Sequence, residues 1–197
     1  MPNRNIEKIY LEDCYYHVYN RGVNKTEIFF DEADYKVFLN LFKRYLGDKP
    51  TQDTKGREYA WLHNELELLA YCLMSNHFHL VFYQHSASSI TTLLRAVNSS
   101  YVTYFNKKYG RVGHLFQERF KASIITKDDY LMHITRYIHR NPDDYMHYQF
   151  SSYAYYTGNK SASWINTKRI LELFQSKEEY EQFVKDYDIN NDELYEL

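Results

Sequence analysis

Two apolar runs of strand length fill Leu68 to Gln84 and break only at Ser75-Asn76, a pattern that predicts a tight β-hairpin. Side chains alternate faces along a strand, so His77, His79, Val81 and Tyr83 fall on one side and Phe78, Leu80 and Phe82 on the other. Upstream, Cys14 to Asn20 is a β-rich run ended by Arg21-Gly22. Asp31 to Leu46 then repeats Tyr35, Phe38, Leu39, Phe42 and Leu46 at helical spacing, with Asp31, Glu32 and Asp34 at the dipole-favoured start and Gly47 as the stop. A polar loop from Asp48 to about Glu58 carries Pro50 and Gly56 and leads to the hairpin.

Beyond the hairpin, Ser86-Ala87-Ser88-Ser89 predicts a cap for a long helix in which Ile90, Leu93, Leu94, Val97, Tyr101, Tyr104 and Phe105 recur up to Gly110. Phe116 to Ile125 predicts a strand, since Phe120, Ala122 and Ile124 alternate with Arg119, Lys121 and Ser123. The order β-α-β-β-α-β is the split βαβ, ferredoxin-like arrangement: an α+β fold with helices on one face of an antiparallel sheet. There the strand bearing the histidines is central and adjacent to the first, and its histidine face needs another cover. Asp128 to Asn141, acidic at its start and stopped by Pro142, predicts the helix that supplies it. The pattern divides the chain into a domain over 1–150 and a C-terminal helical extension over 151–197. The extension holds a loop, a short helix with Ile170, Leu171 and Phe174, and a second helical stretch near Tyr180 to Tyr187.

With 197 residues the chain can bury a real core. Cys14 and Cys72 lie in apolar runs without metal-type spacing and are expected to be reduced core residues, and no apolar run approaches membrane-spanning length; a cytoplasmic protein is expected. The formal net charge of −2 hides an asymmetry: Arg95 to Asn141 carries nine bases against three acids, whereas Glu178, Glu179, Glu181, Asp186, Asp188, Asp192, Glu193 and Glu196 crowd the end. A basic middle beside an acidic tail suits a chain that meets a polyanion on one face.

His77 and His79 make a two-nitrogen claw for a divalent cation, although His-x-His also occurs in plain strands. On the helix that must cover them, His133, Tyr137 and Asn141 are spaced by four, while Leu131, Ile134 and Ile138 pack. Asn141 can offer a carbonyl oxygen to the same cation and so bring the Tyr137 hydroxyl beside it. Lys107, Lys108 and Arg111 around the end of the long helix, with Arg119 and Lys121 on the following strand, are candidates to hold a nucleic-acid strand; Tyr101 and Tyr104 are assigned to the core, and Arg119 and Lys121 are singled out for that contact.

Four segments, YHVYNRG at 16–22, MSNHFHL at 74–80, GHLFQERFK at 113–121 and RYIHRNP at 136–142, together resemble the single-tyrosine HUH transposases, nearest to the branch associated with repetitive extragenic palindromes. The resemblance covers roughly residues 10–150. It implies a nuclease that cuts and rejoins single-stranded DNA beside a hairpin, with His77 and His79 as metal ligands, Tyr137 as nucleophile and Asn141 as the amide from the tyrosine helix. Ser75 stands where proline is usual, and Asp143-Asp144 replaces Val-Arg or Val-Lys after Asn-Pro, which sets acids near a phosphate site.

The implied cofactor is Mg²⁺ or Mn²⁺, which reduces the repulsion between a phosphodiester and its attacker. The implied partners are hairpin-bearing single-stranded DNA and a second copy of the chain in a homodimer, with no membrane. Two other classes compete: a catalytically inactive, domesticated nucleic-acid binder on the same scaffold, and a metal hydrolase or oxygenase for small molecules. The first predicts binding without metal dependence; the second expects a carboxylate as third ligand and has no use for Tyr137.

Overall fold

The computed structural model describes residues 10–186. Within them the elements run β1 (Cys14–Arg21), α1 (Glu32–Leu46), β2 (Leu66–Met74), β3 (His77–Gln84), α2 (Ser89–Tyr109), β4 (Lys121–Ile125), α3 (Asp128–Arg140), α4 (Tyr153–Tyr156), α5 (Lys168–Leu171) and α6 (Lys177–Lys185). The four strands form one sheet in the order β2-β3-β1-β4, every neighbouring pair antiparallel. This is the expected α+β, split βαβ architecture.

Ser75 and Asn76 are the whole connection between β2 and β3, so the hairpin is as tight as its sequence predicts. A segment over 22–29 wraps that turn: the Gly22 amide donates to Asn76 O at 2.8 Å, and the Ile28 and Phe29 amides donate to Ser75 O at 2.7 and 3.0 Å. Close wrapping explains the glycine, because a Cβ at Gly22 would lie 2.0 Å from Thr26 O.

Helix α1 starts with a reciprocal cap, in which Asp31 accepts from the Asp34 amide and Asp34 reaches back to the Asp31 amide. Helix α2 ends at left-handed Gly110 as expected, but its serine-rich start is different: Ser88 is already helical and caps nothing, while Ser89 Oγ turns back to Ser86 O at 2.7 Å. Both helices pack on the face carrying Val18, Phe78, Leu80 and Phe82, where Phe38, Phe42, Leu93, Val97 and Tyr101 fill the larger core. Fully burying one such side chain contributes roughly 1.5–3 kcal/mol.

Helix α3 covers the other face, setting Leu131, Ile134 and Ile138 on Ala70, Cys72, Val81 and Ile125. The molecule is therefore three-layered, with the histidine face sandwiched. The chain after Phe150 continues this second core. Ser151 bridges to Cys72, the Tyr71 amide donates to Ser152 Oγ at 2.9 Å, and Tyr156 Oη donates to Leu69 O at 2.9 Å, so the outer edge of β2 is occupied. His139 on α3 lies buried between Tyr180 Oη of α6 and Ser152 Oγ, at 2.5 and 2.6 Å. Helices α5 and α6 fall where helical spacing places them, α4 is an additional turn, and Tyr187 with the acids after Asp186 lies outside the described residues.

The strand expected over Phe116 to Ile125 is shorter. Only Lys121–Ile125 pair with β1; Phe116 makes a single bridge to Gly22. Between them the Gln117 amide donates to Arg21 O at 2.9 Å and Asn20 Nδ2 donates to Glu118 O at 3.1 Å. Local hydrogen bonds thus bow residues 117–120 off the ladder and out beside the histidine face, something alternation in the sequence does not encode.

Candidate nucleic-acid cleavage site

The antiparallel register sets β1 and β3 residues opposite one another, Tyr19 with His79 and Arg21 with His77, on one face of the sheet. β4 adds Lys121 opposite Tyr19. The two imidazoles of β3 stand with ring centroids 5.1 Å apart and planes at 87°. Over them α3 brings Tyr137, whose ring meets His79 edge-on at 5.5 Å. A cavity of about 270 Å³ opens here, and Tyr19, Arg21, His77, His79, Lys121 and Tyr137 are among its lining residues.

Each imidazole is held by its Nδ1. Asn76 Oδ1 lies 2.6 Å from His77 Nδ1, and the same amide donates from Nδ2 to Lys25 O at 3.2 Å. That second bond orients the amide, so its oxygen faces the ring and His77 Nδ1 must be the donor. His79 Nδ1 lies 2.9 Å from Nε2 of His17, a buried histidine of β1. Nε2 of both site rings is thereby left as the candidate ligand atom.

Burial lowers the pKa of both rings, and for His79 the neighbouring His17 and His77 lower it further; the Asn141 side chain acts in the opposite sense on His77, helping it keep a proton, while Arg21 opposes that. His17 is pushed down to about 4 by burial. All three rings are therefore neutral near pH 7, the form that a metal requires.

Asn141 follows α3 directly as its C-cap residue, and its buried Oδ1 has no hydrogen-bond partner. A buried carbonyl oxygen against the neutral imidazole of His77 fits a small cation with mixed nitrogen and oxygen ligands. Among the described residues no cluster of three His, Cys, Asp or Glu offers another metal site. Tyr137 is half-buried, and burial raises its phenol pKa, with Cys72 adding to the rise and the Asn141 side chain easing proton loss. Asn141 thus acts on both His77 and Tyr137.

The sequence-derived candidates divide. His77, His79 and Tyr137 converge on the cavity, which Arg119 and Lys121 also line, and Asn141 stands against His77 and Tyr137. Lys107, Lys108 and Arg111 do not line it. Lys108 is committed elsewhere, holding Asp31 and Asp34 at 2.7 Å each and so tying the end of α2 to the start of α1. Arg111 lies over the Phe105 ring at 5.5 Å. His133 also turns from the site, with Nδ1 2.8 Å from Arg136 Nη2.

Sequence reasoning missed His17, Tyr19, Arg21, Lys25, Asn76 and Glu118. The available signal for three of them was parity: once β1 is paired with β3, His17, Tyr19 and Arg21 fall on the histidine face together. Lys25 had none, since it depends on two successive left-handed residues, Asn24 at φ 52° and Lys25 at φ 60°, that turn the wrapping segment toward the cavity.

A four-stranded antiparallel sheet with two histidines on a central strand and a tyrosine helix laid across them defines the class: a ferredoxin-like α+β protein with a tyrosine set over a pair of histidines. Within that frame, residues 57–141 match the family model described as transposase, IS200-like. Among solved structures, a REP-associated tyrosine transposase bound to a REP hairpin shares the fold, with TM-score 0.57, 14% identity, and 83% of this chain and 92% of that chain covered. A candidate transposase from Deinococcus radiodurans R1 gives TM-score 0.41 at 13% identity over 70% of this chain and 96% of its own. The tRNA(His) guanylyltransferase of Saccharomyces cerevisiae gives 0.40 at 14% identity over 95% and 77%. No curated protein matches the chain by sequence. Among the described residues no helix is long and apolar enough to cross a membrane.

Proposed function

We propose that this chain is a metal-dependent, cytoplasmic transposase and endonuclease that cleaves and rejoins single-stranded DNA next to a hairpin through a 5′-phosphotyrosine intermediate. The observation that carries this is the convergence of His77, His79 and Tyr137 on one cavity, with the unpartnered Asn141 carbonyl beside His77 and Tyr137. His77 Nε2, His79 Nε2 and Asn141 Oδ1 would hold Mg²⁺ or Mn²⁺. The cation, when bound, supplies positive charge for the non-bridging phosphate oxygens and eases phenol ionisation at a site that otherwise opposes it.

The remaining work falls to the chain itself. Tyr137 Oη attacks phosphorus, the bond from phosphorus to the 3′ oxygen breaks, and the departing oxygen takes up a proton to become a 3′ hydroxyl. The 5′ side stays joined to Tyr137 as a phosphodiester. Attack by a DNA hydroxyl reverses the step without an energy source, because one phosphodiester replaces another. Arg119 and Lys121 on one wall, with Arg21 and Lys25 on another, supply phosphate contacts, and the Tyr19 ring, with Lys121 Nζ 5.8 Å from its centroid, offers a stacking face. The hairpin enters this proposal from the REP-bound transposase of the same fold.

The test is a covalent trap. Wild-type protein incubated with end-labelled hairpin-bearing single strands and Mn²⁺ should give a labelled protein band that survives denaturation and disappears with EDTA. Binding without any such band, across hairpins of varied stem and flank, would instead favour the inactive binder on the same scaffold.

A further inference from the structure

His77 and His79 are oriented by different kinds of partner. The partner of His77 is an amide oxygen, which only accepts, so the ring has one neutral arrangement: proton on Nδ1, lone pair on Nε2. The partner of His79 is a second imidazole, and two arrangements satisfy a nitrogen-to-nitrogen bond of 2.9 Å. Either His79 donates from Nδ1 to a bare His17 Nε2, or His17 donates from Nε2 to a bare His79 Nδ1. Only the first leaves a lone pair on His79 Nε2.

Several features mark this contact as built. His17 is 1% exposed, on a strand whose neighbours Tyr16 and Val18 belong to the opposite core, so a polar ring here is costly unless it has a task. Its ring lies parallel to that of His79, with centroids 5.1 Å apart and planes at 13°, and is stacked on Tyr19, two residues along the same strand, at 5.2 Å. Rings confined this way cannot rotate to exchange Nε2 for Nδ1.

We infer that His17 is a positioning residue: its Nε2 accepts the Nδ1 proton of His79 and thereby fixes the tautomer that presents the His79 Nε2 lone pair to the cavity. A ligand imidazole whose other nitrogen is hydrogen-bonded is both oriented and made more basic, and loss of such a partner typically costs about 10–100-fold in metal affinity. This inference rests on the metal-dependent reading of the site, but its first observable does not need the metal.

The experiment uses full-length protein labelled with nitrogen-15 histidine, without added metal, at neutral pH. Long-range proton–nitrogen spectra should show His79 protonated on Nδ1 and bare on Nε2; the opposite assignment in wild type overturns the inference. In His17→Phe, His79 should show a mixed or reversed tautomer, and calorimetric Mn²⁺ affinity should fall about 10–100-fold. His17→Gln, which restores an accepting oxygen, should recover most of both. An unchanged tautomer and affinity in a folded His17→Phe overturns the proposal, as does failure of His17→Gln to hold the tautomer if His17→Phe does not fold. If wild type binds no Mn²⁺, the metal reading falls separately, while the tautomer spectra still decide the role of His17.

Discussion

The Tyr137 ring meets His79 edge-on, with centroids 5.5 Å apart and planes at 87°, although the two residues belong to elements separated by α2 and β4. An edge-on approach sets the phenol ring against the imidazole at the cavity that both residues line.

Replacing Tyr137 with Phe deletes that hydroxyl and little packing. Thermal stability should stay within about 0.5–1 kcal/mol of wild type, and hairpin binding should persist, while the covalent DNA band vanishes. Tyr19 is the natural control because it lines the same cavity from β1. Tyr19→Phe should keep the band; if the two results are exchanged, the nucleophile sits on β1.

Metal uptake should depend on the three candidate ligands in a graded way. His77→Ala and His79→Ala are expected to abolish measurable Mn²⁺ binding by calorimetry yet leave cooperative unfolding. Asn141→Ala should weaken it less, because a neutral carbonyl is the poorer donor. With two imidazoles in the set, Mn²⁺ should bind more tightly than Mg²⁺, following ligand softness. Equal affinity of the double histidine variant and wild type would remove the ions from this site.

Salt dependence separates the basic residues. Arg119→Ala and Lys121→Ala should each weaken single-strand binding for all sequences and lower the salt slope by about 0.7, as expected for one lost phosphate contact. Lys108→Ala should leave the slope untouched and lower the melting temperature instead, because its ammonium bridges Asp31 and Asp34.

Asp34 gives the acid limb of stability its shape. Burial raises its carboxyl pKa, but Lys108, the Phe30 amide, Tyr109 and Tyr104 together outweigh burial and hold it below the usual carboxylate value. A carboxylate depressed in the folded state contributes stability that is present above its unfolded pKa and lost as pH falls through the folded value. Urea midpoints should therefore drop below about pH 4, and Asp34→Asn should be less stable at pH 7 with a flatter fall. A parallel pH profile for the variant would show that other acids set the limb.

Gly22→Ala is predicted to destabilise by about 1–3 kcal/mol, read by denaturant unfolding. Its Cβ meets the Thr26 carbonyl at 2.0 Å, so the segment over 22–29 must move off the Ser75-Asn76 turn. Because Asn76 orients His77 and is itself held by Lys25 O, Mn²⁺ affinity should fall as well.

What the sequence determined by itself was everything local or periodic. The hairpin broken at Ser75-Asn76, the shared face of His77 and His79, the acidic start of α1 and the acid-led helix ending before Pro142 all follow from spacing and end chemistry within one element. Tyr137 and Asn141 could be placed together because one helical turn separates them. The tertiary structure decided whatever depends on which elements meet. His17 became a partner of His79 through strand register, although the two are 62 positions apart in the chain. Lys108, a plausible phosphate ligand in a basic run, was drawn to two carboxylates on α1, since a nearby paired charge outcompetes a distant one. Residues 117–120 left the ladder where the Arg21 carbonyl and the Asn20 side-chain amide of β1 bond Gln117 and Glu118 instead. The chain after Phe150 packed against β2 and α3 through contacts such as Tyr156 Oη with Leu69 O and His139 with Tyr180 and Ser152, pairings between distant segments that no single segment records.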